Sequence, residues 1–202
     1  EAPYRAERMK PLERIALEGR TNPKGIPYLY LSSKKETAMS EVRPWIGGYI
    51  SLGLFSTTKE LRLIDLSTGD NRLMFHFTEP PPQKREEAVW SQVNRSFSYP
   101  VSPSDDKADY VATQIIAELF KKEGYDGVIY RSSFGGSGYN LALFDLISAQ
   151  LLNCQLHEAK SFSITFEEFG NPYFMKEENG ERMAMRNKIV DIRPIEEPEE
   201  KS

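Results

Sequence analysis

The stretch Gly19–Val42 reads G-R-T-N-P-K-G-I-P-Y-L-Y-L-S-S-K-K-E-T-A-M-S-E-V, and its succession of residue types decides how the chain is divided. A loop rich in glycine and proline carries Arg20 and Asn22, and a short apolar strand, Tyr28–Leu31, follows it. The spacing of Ser33 and Glu36 predicts a capping box that starts a helix near Ser33, the serine taking the N3 amide proton and the glutamate reaching back. That start places Glu41 on the second turn, with Ala38 and Val42 beside it at the edge of the buried stripe. A carboxylate at such an edge is either a solubilising residue or a placed one. Tyr28 and Tyr30 share a face because alternate strand residues do, and one of them is open to a core role. Asn22, next to proline and close to glycine, is of the type that braces a loop by bonding its own backbone.

The whole chain sets the bounds. Its 202 residues are most economically one domain, long enough to bury a sizeable core without staples. With 28% charged residues and a net charge of −4, the chain lacks the basic excess of a nucleic-acid surface, which leaves room only for a local basic pocket. The single cysteine, Cys154, excludes an intrachain disulfide and a cysteine-based zinc cluster and fits a reducing compartment. With only His76 and His157 beside it, a Cys/His nucleophilic site is unattractive, and no metal is expected. No apolar run is long enough to span a bilayer and no hydrophobic signal opens the chain, so a cytoplasmic protein with no membrane partner is expected. The first methionine is Met9, which suggests a domain excised from a longer protein or left by tag removal.

Around the central stretch, Glu1–Met9 alternates loosely and reads as a first strand. Pro44 is expected to end the helix and Gly47-Gly48 to turn the chain into strands Tyr49–Phe55 and Leu61–Leu66. Phe75, Phe77 and Trp90 read as core aromatics, Pro80–Pro82 as a stiff connector, and Lys84–Phe97 as a helix. The clearest helix runs from about Asp106 to Glu123. Val111, Ile115, Ile116, Leu119 and Phe120 form its stripe, and Gly124 closes it. Thr113 and Gln114 lie off that stripe, where a solvated glutamine is the plain expectation. Gly127–Tyr130 is a short buried strand delivering Ser132 and Ser133 into the glycine-rich loop Ser132–Asn140, whose backbone amides are able to approach a ligand closely. The loop has neither the dinucleotide fingerprint nor the P-loop lysine pattern. Asn140–Phe144, Gln155–Phe169 and Val190–Ile195 read as further strands, and Glu196–Ser202 as a disordered acidic tail. The fold class is α+β, with short mixed strands and about three helices.

The ordered spacing Gly19-Arg20-x-Asn22, Tyr28-Leu29-Tyr30-Leu31, Thr37-Ala38-x-x-Glu41-Val42 and Tyr130-x-Ser132 resembles the RES-domain family, named for an arginine, a glutamate and a serine. The resemblance is strongest from about Tyr4 to Phe144. It implies a single domain similar to the ADP-ribosyltransferase fold over residues 1–195, with a candidate insertion at 57–103 and the tail at 196–202. It also implies NAD⁺ as substrate and no true cofactor. Many family members are toxins of RES–Xre toxin–antitoxin pairs that cleave the nicotinamide–ribose bond of NAD⁺ with water or phosphate as acceptor. The expectation is therefore an NAD⁺ glycohydrolase or phosphorylase acting as an intracellular toxin or defence effector, with an antitoxin or immunity protein as partner. A mono-ADP-ribosyltransferase acting on a protein is the alternative within enzymes, and a non-catalytic nucleotide-binding module the alternative outside them.

By family position Arg20 and Arg5 are the candidates for the NAD⁺ diphosphate, which guanidinium groups match with paired hydrogen bonds. Glu41 is the candidate carboxylate beside the ribose, where it stabilises charge that develops only in the transition state. Ser132 completes the catalytic set. Tyr30 and Tyr28 are candidates for the nicotinamide pocket, and Asn22 and Gln114 for binding near it. Two positions depart from the family pattern: Ala6 and Thr21 follow the two arginines where an aromatic residue is common.

Overall fold

The computed structural model describes residues 1–12, 15–67, 81–99, 110–134, 137–161, 163, 165–166, 173–178 and 181–186. Its elements are β1 (Leu29–Ser32), α1 (Lys35–Glu41), β2 (Tyr49–Thr57), β3 (Leu63–Asp65), α2 (Pro82–Ser98), α3 (Val111–Lys122), β4 (Gly127–Arg131), β5 (Tyr139–Leu143), β6 (Ala149–Glu158), β7 (Tyr173–Glu178) and β8 (Glu181–Arg186). The architecture is α+β, with three α-helices and mixed sheets among the described residues. None of these helices is long and apolar enough to cross a membrane. The chain divides into two compact units, Glu1–Phe162 and Ser163–Ser202. In the second, β7 pairs antiparallel with β8.

In the first unit the order β1-β5-β4-β3 makes a four-stranded sheet, antiparallel except where β3 runs parallel to β4. Alternation along the strands separates its faces. Val128, Tyr130, Ala142 and Tyr28 point into a core completed by Phe97 of α2 and Ala117 of α3. Leu29 and Leu143 point to the other face, with Ala149 and Phe55. Gly127 is required where β4 meets β5, since a Cβ there would lie 2.3 Å from the Ala142 carbonyl oxygen. Strands β2 and β6 form a separate antiparallel pair whose register slips between Leu54 and Phe55.

Several expectations from the sequence are corrected. Ala6–Arg8 is a 3₁₀ turn, not part of a strand. No capping box forms at Ser33: α1 starts at Lys35 without a side-chain cap. Instead Ser33 continues the sheet ladder, its N–H donating to Tyr139 O and its Oγ accepting from Tyr139 N, both at 2.9 Å. On α3 the buried residues are Thr113 and Ala117, while Val111, Ile115 and Leu119 are exposed, so the apolar stripe is divided and Thr113 faces inward. Trp90 is exposed, not core. Strand β6 ends at Glu158, short of the extent expected to Phe169. Gly124, with φ of +81°, closes α3 as expected. Phe75, Phe77, Pro80, Ser102–Asp109, Val190–Ile195 and Glu196–Ser202 lie outside the described residues.

Candidate active site

Helices α2 and α3 pack against β4, and α1 packs against β1 and β5. Pairing sets Ser32 of β1 opposite Asn140 of β5, and Asn140 opposite Tyr130 of β4. These three side chains therefore stand in a row across one face. Together with Arg20, Tyr30, Glu41, Arg43, Tyr110 and Phe134 they line a cleft of about 500 Å³, within the range of small-molecule sites.

Arg20 is held by its loop from several sides. Gln114 Nε2 donates to Gly19 O at 2.9 Å and to Asn22 O at 3.1 Å, and Thr113 Oγ1 donates to Arg20 O at 2.6 Å. The Tyr30 hydroxyl donates to Asn22 Oδ1 at 2.7 Å, accepts the Thr21 N–H at 3.1 Å, and lies 2.6 Å from Thr21 Oγ1. Burial of that hydroxyl raises the phenol above its ordinary range, so it keeps its proton while it braces the loop. Beyond the loop, Arg20 Nη1 donates to Phe97 O and, at 3.3 Å, to Ser96 O, carbonyls at the C-terminal end of α2. A cation there is favoured by the helix dipole and by carbonyls that lack intrahelical partners. The guanidinium carbon lies 5.9 Å from the Tyr130 ring centroid.

Glu41 is the last residue of α1 and meets two donors on one oxygen. Oε1 accepts from Ser132 Oγ at 2.6 Å and from Asn140 Nδ2 at 2.5 Å. Ser132 Oγ also contacts Phe134 O and accepts the Phe134 N–H at 3.0 Å. Its single proton has two acceptors in reach, of which the carboxylate is the stronger.

The structure thus brings Arg20, Glu41, Ser132 and Tyr30 together and sets the other predicted residues apart. Asn22, 2% exposed, spends its amide on Leu17 O at 2.9 Å and Ile26 O at 2.8 Å, the backbone brace its residue type suggests. Gln114 sits behind the same loop. Tyr28 is buried in the core with its hydroxyl on Glu118, and burial drives its phenol far above the ordinary range. Arg5 is exposed at the start of the 3₁₀ turn and lines no part of the cleft. Sequence reasoning missed Asn140 and Arg43. Arg43 follows α1 with φ of +46°, a left-handed conformation that costs a non-glycine residue roughly 1–2 kcal/mol. Its guanidinium carbon lies 4.8 Å from the Phe134 ring centroid. Residues held in such conformations concentrate at functional sites.

Asn22→Ala should cost about 1–3 kcal/mol of stability by removing a buried side chain that bonds the part-buried carbonyls of Leu17 and Ile26 and the Tyr30 hydroxyl. Chemical denaturation checks this. Unchanged stability would show that water replaces the amide.

A family model described as RES domain matches residues 2–165. Among solved structures, the chain is similar to one from the crystal structure of the M. tuberculosis MbcT–MbcA toxin–antitoxin complex. The similarity is at 18% identity with a TM-score of 0.41, over 70% of this chain and 72% of that chain. No curated protein matches the sequence.

Proposed function

The chain belongs to the RES-domain family, and we propose that it cleaves the nicotinamide–ribose bond of NAD⁺ as an intracellular toxin or defence effector. The observation that carries this reading is that Arg20 and Glu41, from separate segments, line one cleft, with Ser132 hydrogen-bonded to Glu41.

NAD⁺ joins a cationic nicotinamide to an anionic diphosphate, and the cleft offers both complements. The Arg20 and Arg43 guanidinium groups suit the diphosphate, while the Glu41 carboxylate suits the ribose and nicotinamide end. When the C1′–N bond breaks, its electron pair leaves with nicotinamide and positive charge spreads over the ribose ring. A fixed carboxylate attracts that charge more strongly in the transition state than in bound substrate, and so raises turnover. Water or phosphate then bonds to C1′; with water as acceptor, the products are ADP-ribose, nicotinamide and a proton. The exposed part of the Tyr30 ring and the Phe134 ring offer flat surfaces for nicotinamide. In this reading NAD⁺ is a substrate, no metal or other cofactor takes part, and an antitoxin or immunity protein restrains the enzyme.

The test is incubation of the purified chain with NAD⁺, with and without phosphate, and identification of products by mass. Nicotinamide together with ADP-ribose or its 1″-phosphate is the expected result, and names the acceptor. Release only on addition of protein acceptors would make the enzyme a mono-ADP-ribosyltransferase. No release under any condition would reject the enzyme reading. Expression in a bacterial host should arrest growth, whereas a binding module would be tolerated.

A further inference from the structure

Asn140 has an unusual set of partners for a buried asparagine at the start of a strand. It is 5% exposed, yet both hydrogen bonds of its side chain go to other side chains. Ser32 Oγ of β1 donates to Oδ1 at 2.8 Å, and Nδ2 donates to Glu41 Oε1 of α1 at 2.5 Å. Rotating the amide by half a turn would put Oδ1 against the carboxylate, two acceptors at contact distance, so the orientation is determined by its neighbours. An amide nitrogen that served only to complete a loop or a strand end would donate to backbone carbonyls, as Asn22 Nδ2 does.

We propose that Asn140 is a positioning residue for Glu41, fixing the carboxylate through the chain Ser32–Asn140–Glu41 while Ser132 donates to the same oxygen. Among the described residues Oε2 takes no bond and is the oxygen offered to a ligand. The inference rests on the reading of Glu41 as the carboxylate beside the ribose. A carboxylate at the end of a seven-residue helix has rotamer freedom that two donors on Oε1 remove. Small errors in the placement of such a group cost large factors in rate. The charged and titratable groups around Glu41 in the cleft are Arg20, Arg43, Tyr30, Tyr110 and Tyr130. A change in titration that follows substitution of Asn140 alone is therefore referable to the new side chain.

The experiment replaces Asn140 by aspartate, which keeps the shape and sets a second carboxylate beside the first. Two carboxylates in contact hold a proton to higher pH than either alone. The ¹³C signal of the Glu41 carboxyl, assigned with Glu41→Gln, is followed against pH in wild type and Asn140→Asp, beside the pH profile of nicotinamide release. The midpoint of the signal should rise by about one unit or more, and the acid limb of kcat should move with it. Asn140→Ala should lower kcat roughly tenfold to a hundredfold, with KM for NAD⁺ changed less. A loss of fold stability would produce neither the shifted midpoint nor that split.

An unmoved midpoint in folded Asn140→Asp would overturn the proposal, whatever the wild-type activity. A shifted midpoint in a protein that releases no nicotinamide would keep the positioning and reject the reaction. If Asn140→Asp does not fold, Ser32→Ala takes its place. The released amide should broaden or move the Glu41 carboxyl signal, and an unchanged signal would overturn the proposal.

Discussion

Glu41→Gln is expected to lower nicotinamide release by about 10²- to 10³-fold, while KM for NAD⁺ changes by less than about threefold. Glutamine preserves the length and most of the shape of the side chain, so α1 should stay where it is. What is lost is the negative charge, and with it the attraction for a ribose that becomes cationic only as nicotinamide departs. Oε1 now accepts from both Ser132 and Asn140. A glutamine oxygen in its place keeps those two bonds, which is why stability should scarcely change. Thermal denaturation beside the rate assay separates the two effects. Equal release by wild type and Glu41→Gln would remove the catalytic role of Glu41 and, with it, the main chemical support for the proposed reaction. The same variant should be harmless to a host that wild type arrests.

How much of this was legible in the sequence depended on whether the information was local. The loop carrying Arg20, the strand around Tyr30 and the helix bearing Glu41 follow one another within a short stretch, and turn chemistry and periodicity exposed those elements. The roles of Arg20 and Glu41 came from the family resemblance. Asn140 was read as the end of the glycine-rich loop and the beginning of a strand, with no role for its side chain. Its place beside Glu41 comes from the registers Ser32↔Asn140 and Tyr130↔Asn140, pairings between segments far apart in sequence. Arg43 carries no local signal of a site, since a residue before proline is usually extended. Here the turn closes through Arg43 N–H to Ser40 O at 3.0 Å, and the left-handed conformation carries the side chain to the cleft.

The expected cap at Ser33 failed for a similar reason: Tyr139 offered a ladder partner that local spacing does not reveal. On α3 the apolar rows Val111–Ile115–Leu119 and Ile116–Phe120 adjoin, and periodicity alone does not say which one meets the sheet. Burial of Thr113 and Ala117 shows that the second row won. Arg5 was chosen by family position, without a local signal for a site. In the structure it lies at an exposed turn, away from the cleft.

Gly138→Ala is expected to abolish most activity and to destabilise the fold, because the helix that carries Glu41 rests directly on this glycine. A Cβ at Gly138 would lie 1.8 Å from Thr37 Oγ1 and 2.8 Å from Thr37 Cβ. Thr37 is fully buried, so it has no open space into which to turn. The remaining response is movement of α1, and Glu41 lies one turn beyond Thr37 on the same face. Displacement by even about an ångström would break the bonds to Ser132 and Asn140 and cost on the order of a hundredfold in rate. Overpacking of this kind typically costs about 1–3 kcal/mol of stability, read by chemical denaturation. Thr37→Ala removes the hydroxyl and the methyl group that the new Cβ would strike. In the double variant the contact with Cβ remains, so activity should return in part and the two substitutions should be less than additive. Strict additivity, or full activity in Gly138→Ala alone, would show that Glu41 is placed without the support of the Thr37–Gly138 contact.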